Sequence, residues 1–461
     1  MVKSLKKVSN SVVGSSIVAA GLKFAGVGLS FLFLLVLAQK MSALEFGIFS
    51  VGFSVAHLTW CFATFGQPVT SVRFWPVLDE RYGPATANLV IERGFRIVGL
   101  LSLLMFAVFV IVANLNLEIG ELSGQSEALI WSGVLAVALA LSQFMCFSLR
   151  ARGDLMWSLT PRDVIWRAIV IVVLLFVDEI TGMQGLRLAA LVLLGVTAAQ
   201  VLRFARFRRA TLAAELSGAP TTIPPTELAE MRRAQWGLWG GNIAHQWLQQ
   251  AGTVVVAIVL GPIAAGAFFA AQRLANLLSL VLVGTNQVSG PMISRDFHAG
   301  RKEGLQTLIS VLVVITAGAS LVGLIVFAII GRWMLGLFDP EYVNAFGALL
   351  VLGFAQLVNS ACGPNGNLLN LAGLERRLLL VTLVSGLLSL GFTALGAYYY
   401  GLFGAAVGAA AATILWNVWA TAICANSLGI YILRPQDILN FKALFNELKA
   451  RRRMKGGVKN D

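Results

Sequence analysis

Two cations, Lys23 and Arg273, stand inside long apolar runs of the sequence. A charge at the centre of such a run costs about 2.5–3.5 kcal/mol on membrane-insertion scales, so it asks for a compensating role. Counted along its run, Lys23 is about 11 residues, or 17 Å, from one end, and Arg273 about nine residues, or 14 Å. No Asp or Glu sits well inside any run to neutralise them. Two such cations suit a wet, positive cavity for an anion such as phosphate. The plainer reading is snorkelling, or bonding to helix carbonyls. A second signal is the set Asn242, His245, Gln246, Gln249 and Gln250. The spacing i, i+3, i+4, i+7, i+8 puts them in one stripe on a helix, which in a membrane must face protein or water. Helix-to-helix bonding is the plainer role for such a stripe. Further polar residues in apolar runs are Ser50, Ser54 and His57; Gln272, Asn276, Asn286 and Gln287; and Gln356, Asn359 and Ser360, followed by CGPNGN around Pro364. A Gly-Pro-Asn-Gly run at that depth should break the helix, which is tolerated where backbone faces a cavity.

Other chemistries have little support. There is no GxxxxGK[ST] phosphate loop, no metal-ligand cluster and no Ser/His/Asp arrangement. No cofactor is expected, and no catalytic residue. His57 and His245 could titrate, but hydrogen-bonded structural histidines are the simpler expectation. Cys61, Cys146, Cys362 and Cys424 each fall in an apolar run without a CxxC pair, and read as small buried hydrophobes.

The elements that hold these residues follow from composition. Of 461 residues, 57% are hydrophobic and 12% charged. About a quarter would be charged in a soluble domain, so a soluble fold could not cover its surface. Apolar runs and polar breaks give spans near 12–38, 46–70, 95–114, 128–149, 163–178, 184–203, 236–260, 264–290, 305–330, 344–371, 377–399 and 402–426. Each must satisfy its own backbone hydrogen bonds in lipid, and the runs are continuous where a β-barrel would alternate. The expected fold is an all-α integral membrane protein of about twelve transmembrane helices. No cleavable signal peptide is expected, because the first run is too long and lacks a small-residue cleavage site.

Orientation follows from the loops. With the N-terminus inside, thirty Lys and Arg fall on the inner face, and only Lys40, Arg187 and Arg332 on the outer. That asymmetry explains the net charge of +13 through topology and anionic membrane lipids, with no nucleic acid needed. Both termini are expected in the cytoplasm and the protein in the inner, plasma membrane.

The chain also repeats itself at an offset near 219 residues. Gly47 in EFGIFS pairs with Gly266 in AGAFFA, Gly153 with Gly373, and Gly182 and Gly185 with Gly401 and Gly404. Under the same offset Lys23 lands on Asn242, Ser54 on Arg273 and His57 on Asn276. Six spans per half makes a parallel repeat, an arrangement that points to transport. The expected organisation is a six-helix lobe over 1–203, a basic and Pro-rich cytoplasmic linker over 204–235, a second six-helix lobe over 236–428, and a basic amphipathic cytoplasmic tail over 429–461. The tail places Ile438, Leu439, Phe441, Leu444, Phe445 and Leu448 on one face, as an inner-leaflet surface helix would.

Several stretches resemble a known family. They are the N-terminal run SNSVVGSSIVAAGLKFAGVGLSFLFLLVLAQKMSALEFGIFSVGFS through SVRFWPVLDE, then FFAAQRLANLLSL, NLAGLERR and YGLFGAAVGAAAAT. Together they look like the polysaccharide transporter branch of the multidrug/oligosaccharidyl-lipid/polysaccharide exporter superfamily, which includes O-antigen and exopolysaccharide flippases. The resemblance implies two six-helix lobes in a V that open alternately inward and outward. It also implies movement of an undecaprenyl-diphosphate-linked oligosaccharide from inner to outer leaflet. Related flippases hold the diphosphate with cations in their first and eighth helices, the places of Lys23 and Arg273. The sugars would then lie among Asn242, His245, Gln246, Gln249, Gln272, Asn276, Gln356 and Asn359. Other polysaccharide assembly proteins are expected partners. The lipid II flippase branch carries extra C-terminal helices that are not expected here.

Three other readings compete. A cation-coupled exporter of small amphiphilic molecules needs a buried acid, and drug-exporting relatives often carry one in the first span, where this chain has a lysine. A membrane polysaccharide polymerase or glycosyltransferase needs paired acids outside; the outer loop near 115–127 offers Glu118, Glu121 and Glu127 but is short. A non-transporting scaffold leaves the polar interior without a role.

Overall fold

The structure is a computed structural model that describes residues 21–22, 25–115, 126–214 and 222–432. Lys23, Glu118, Glu121 and the amphipathic tail beyond Ile432 lie outside the described residues. The described residues form helices and no strand. In chain order these are α1 (Ala25–Gln39), α2 (Ala43–Thr64), α3 (Gln67–Asn114), α4 (Ser126–Ala151), α5 (Leu155–Thr160), α6 (Trp166–Leu174), α7 (Gly182–Ala214), α8 (Pro225–Leu277), α9 (Leu280–His298), α10 (Lys302–Gly336), α11 (Phe346–Ala361), α12 (Asn365–Leu371) and α13 (Glu375–Leu428). A π-helical turn, Pro161–Ile165, joins α5 to α6, and a 3-10 turn, Pro340–Ala345, leads into α11.

Eight described helices are long and apolar enough to cross a bilayer, and α1 is a shorter apolar one. The chain is an all-α integral membrane protein. Three of the long helices are interrupted where the backbone leaves helical geometry: α3 at Gly83, α8 at Gly261 and α13 at Tyr400 and Gly401. At Gly261 φ is 86° and Pro262 follows. Proline pushes the residue before it out of the helical region, and glycine accepts the positive φ that results. The breaks in α8 and α13 fall where the apolar runs were expected to part, near 260–264 and 399–402. The expected linker over 204–235 is helical at both ends, because α7 continues to Ala214 and α8 begins at Pro225. Proline suits the first helical position, where its missing N–H has no partner to lose.

Local chemistry sets the helix starts. Ser42 accepts a hydrogen bond from the Glu45 N–H at 3.3 Å. The Glu45 carboxylate accepts from the Gly182 N–H at 2.6 Å, placing a negative charge on the N-terminus of α7. Thr181 and Gln184 make a reciprocal capping pair at the same place. Asp154 caps α5 through the Trp157 N–H.

The chain divides into two compact units. The first runs to Phe269 and includes Gly336–Tyr342; the second comprises Ala270–Leu335 and the residues from Val343 onward. In the first, α4 packs between α2, α3 and α7. Small residues set the spacing: a Cβ on Gly52 would meet Leu186 and Ser132, and one on Gly133 would meet Phe109. Helices in lipid gain mainly from close packing of this kind. α2 also meets the stretch after Pro262 at Gly47, where any Cβ would strike the Pro262 carbonyl. A Cβ on Gly266 would stand 3.0 Å from the Gly47 Cα. The buried Tyr342 hydroxyl donates to the Ala43 carbonyl at 2.9 Å beside this crossing. In the second unit, α9, α10, α12 and α13 share a core around Ile293, Ile309, Leu368 and Cys424. All four cysteines are buried and free.

Candidate functional site

In the second unit the end of α8 carries Gln272, Arg273 and Asn276, and α11 carries Gln356 and Asn359. The Gln356 amide donates to the Asn276 side-chain oxygen at 2.8 Å, and the Asn359 amide donates to the Gln356 oxygen at 3.1 Å. Three of the expected residues thus form one amide chain across two helices. Arg273 lies one turn before Asn276 and, like the three amides, is half-buried. Behind this chain the Ser320 hydroxyl bonds to the Ser360 hydroxyl at 2.7 Å, and Thr316 donates to the Ser360 carbonyl at 2.8 Å. These bonds lock α10 to α11 and so fix the face that presents Gln356 and Asn359. The helix break at CGPNGN is real: α11 stops at Ala361 and α12 starts at Asn365. Protein fills it, since buried Asn365 reaches Asn417 on α13 and caps the Gly366 N–H at 2.7 Å.

In the first unit Asn242, His245, Gln246 and Gln249 lie on α8. Asn242, Gln246 and Gln249 are half-buried, His245 is exposed, and Gln250 is buried. The stripe borders a packed face: the Trp239 indole donates to the Cys61 carbonyl at 3.2 Å, and Ile243 packs against the core cluster that includes Trp60, Cys61 and Phe144. On α2, Ser50 and Ser54 are buried. His57 stacks on Phe53 at 4.2 Å, and its Nδ1 is 2.9 Å from the Phe53 carbonyl. A carbonyl only accepts, so Nδ1 carries a proton.

The structure adds a group that the sequence pattern placed at the edge of a span. Asp163, Arg162 and Arg167 sit within the helical run from Leu155 to Leu174, with Asp163 only 8% exposed. Asp163 therefore lies about 12 Å along this helical run at 1.5 Å per residue. The helical run begins at Leu155, before the expected span edge at 163, because Pro161 and the neighbouring charges resemble a loop. A signal was nevertheless present: the apolar residues Leu155, Met156, Trp157 and Leu159 precede them.

Charges at the helix ends pair with one another. Arg81 Nη1 is 2.6 Å from Glu227 Oε1, and Arg73 lies 3.8 Å from Glu230. Arg203 meets Asp154 at 3.3 Å. Burial lowers the pKa of Arg152, just past α4, and the Asp79 and Asp154 carboxylates oppose that shift.

Apolar helices broken by glycine, with arginines and amides gathered inside them, define a polytopic membrane protein. The chain belongs to the polysaccharide biosynthesis protein family, whose model matches residues 12–297. No curated protein matches it in sequence. Among solved structures it is similar to the lipid II flippase MurJ in an inward closed conformation, at 12% identity and a TM-score of 0.69 over 93% of this chain and 92% of that one. An inward-facing multidrug resistance MATE family transporter of the MOP superfamily matches at 16% identity and a TM-score of 0.62, over 89% and 96% of the two chains. A MATE protein in the bent conformation matches at 16% identity and a TM-score of 0.59, over 88% and 93%. The fold is that of MOP-superfamily transporters and flippases.

Proposed function

We propose that this protein is a flippase that moves an undecaprenyl-diphosphate-linked oligosaccharide across the membrane by alternating access. The repeat unit would belong to an O-antigen, capsule or exopolysaccharide. In this reading the chain crosses the inner membrane twelve times, with both termini in the cytoplasm, as lobes over 1–203 and 236–428. The observation that carries it is Arg273 followed by the amide chain of Asn276, Gln356 and Asn359. A guanidinium fork matches phosphate oxygens, with paired donors at fixed spacing. Side-chain amides both donate and accept, as sugar hydroxyls do, so they can replace water around a sugar without leaving polar groups unsatisfied. Lys23 is assigned to the diphosphate with Arg273; Asn242, His245, Gln246, Gln249 and Gln272 are assigned to the sugars.

The test is flipping of a fluorescent undecaprenyl-diphosphate oligosaccharide in proteoliposomes by the intact protein, Arg273→Ala and Lys23→Ala. Flipping by the intact protein and its loss in both folded variants supports the reading. Failure of the intact protein on several lipid-linked sugars, with and without ion gradients, overturns it.

The second reading is a cation-coupled exporter of small amphiphiles, and Asp163 supplies the buried acid that it needs. Export of a cationic dye driven by a proton or sodium gradient would favour it.

A further inference from the structure

Two segments of the first unit bring five aromatic rings together. Phe62 lies in the last turn of α2 and Phe65 just beyond it, while Trp236, Trp239 and Trp247 lie along α8. The Phe65 ring is 5.0 Å from Trp236 and 5.0 Å from Trp239, and those two indoles are 5.6 Å apart. Phe62 stands edge-on to Trp239 and to Trp247, each at 6.4 Å. The backbone holds the set in place. Phe65 has φ 43° and ψ 41°, and it is the one non-glycine residue with a positive φ among the described residues. An L side chain avoids that region, and strain of this kind gathers at functional sites. Gly66 follows at φ 69°, where a Cβ would stand 2.8 Å from the Gln235 carbonyl, so α8 lies close against the turn. The Trp239 indole is pinned by its bond to the Cys61 carbonyl. Trp236 is nevertheless 62% exposed and Phe62 37% exposed, so the cluster keeps open ring surface.

Tryptophans also anchor proteins at membrane interfaces. Two features separate this set from an anchor. An anchor needs apolar bulk and no fixed ring angle, whereas here a strained residue and a hydrogen bond fix the rings. The row also continues into amides: Trp239, Asn242, Gln246 and Gln249 follow at i, i+3, i+7 and i+10, on one face of α8. Amides in an apolar run face protein or water rather than lipid. From Trp236 to Gln249 the row is about 20 Å long at 1.5 Å per residue. A pyranose ring has the matching chemistry, with C–H bonds on its faces and hydroxyls around its rim. Aromatic rings take the faces, and side-chain amides take the hydroxyls. A lipid tail uses only the aromatic part of such a row.

We propose that Phe62, Phe65, Trp236 and Trp239 form a stacking subsite for a sugar ring of the substrate. Trp236 and Phe62 supply the open ring surface, and Phe65 and Trp239 hold it at a fixed angle. The inference rests on the flippase reading and deepens it. The subsite takes a pyranose whose C–H bonds gather on one face, while Asn242, Gln246 and Gln249 take the hydroxyls of the sugars beyond it. In the flippase reading this end of α8 is cytoplasmic, so the subsite meets the sugars on the side where they are loaded.

The test uses the full chain in nanodiscs and compares binding of undecaprenyl-diphosphate oligosaccharides with binding of undecaprenyl diphosphate lacking sugar. Trp236→Leu, which stays apolar but loses the ring system, should bind the sugar-bearing lipid several-fold more weakly and the sugar-free lipid as the intact protein does. Trp236→Phe, which keeps a ring, should stay close to the intact protein with both. Thermal unfolding midpoints identify any variant that has lost its fold, and Phe62→Leu reads the same contrast if Trp236→Leu has. Unchanged affinity for the sugar-bearing lipid in Trp236→Leu overturns this inference, makes the ring an anchor or a packing residue, and leaves the flippase reading standing. An equal loss for both lipids also overturns it, because the cluster then serves the lipid or its diphosphate. An intact protein that binds neither lipid removes both readings.

Discussion

Each unit holds arginine inside apolar helices, and the two do so by different means. In the first unit Arg167 bonds to carbonyls of its own π turn, and Arg162 stands beside the carboxylate of Asp163. In the second, Arg273 belongs to a stretch whose next polar residue, Asn276, opens a chain of neutral amides through Gln356 and Asn359. A carboxylate offsets charge; amides only solvate it. The first arrangement sets a carboxylate 3.9 Å from a guanidinium, whereas the second sets neutral amides one turn along the helix from one. In the flippase reading the two arrangements make different contributions, and substitutions can separate them.

The largest effect is expected for Arg273→Ala. Charge-assisted hydrogen bonds contribute about 1.5–3 kcal/mol each, so losing two should slow flipping by roughly a hundredfold or more, with Arg273→Lys recovering only part. A normal rate in Arg273→Ala would end the assignment. Next is Asn276→Asp, which gives the second unit a carboxylate like that of the first. A fall in diphosphate affinity of about tenfold is expected, near the 1.4 kcal/mol that a nearby charge can supply; unchanged affinity would show that Asn276 and the anion do not share a site. Gln356→Leu removes the middle of the amide chain. It should raise KM for the oligosaccharide several-fold and leave the affinity for sugar-free undecaprenyl diphosphate unchanged. A loss of both would mean that the chain serves the diphosphate or the fold. The smallest effect is expected for Glu227→Gln. Its partner Arg81 is well exposed, so the pair contributes at most about 1 kcal/mol, and the unfolding midpoint should move by only a few degrees. A large shift would show that this contact between α3 and α8 governs stability.

The long apolar runs were readable because lipid imposes a strict demand on backbone hydrogen bonding, and the breaks near Gly261 and Gly401 followed from polar gaps in those runs. The start of the fifth span was not readable. Arg162, Asp163 and Arg167 look like a cytoplasmic loop until the π turn lets side chains cover its carbonyls and the charges lie beside each other. Asn276, Gln356 and Asn359 stood out one by one as amides in apolar surroundings. Their mutual bonding depends on the register of α8 against α11, which the Thr316 and Ser320 bonds to Ser360 help to set and which no local pattern records. The polar stripe of α8 was legible as a stripe, but its partner face on α2, with Trp239 on Cys61, was not.

The contact between Gly47 and Gly266 has a consequence for descent. The two positions match under the 219-residue offset, and a Cβ on Gly266 would stand 3.0 Å from the Gly47 Cα where α2 crosses the stretch after Pro262. Contact of a residue with its own equivalent is the property of an isologous interface, found on the twofold axis of a homodimer. A half-length ancestor assembled in pairs would have met its own copy at this glycine. Neither glycine can be relaxed alone: a Cβ on Gly47 would strike the Pro262 carbonyl, and one on Gly266 the Tyr342 hydroxyl.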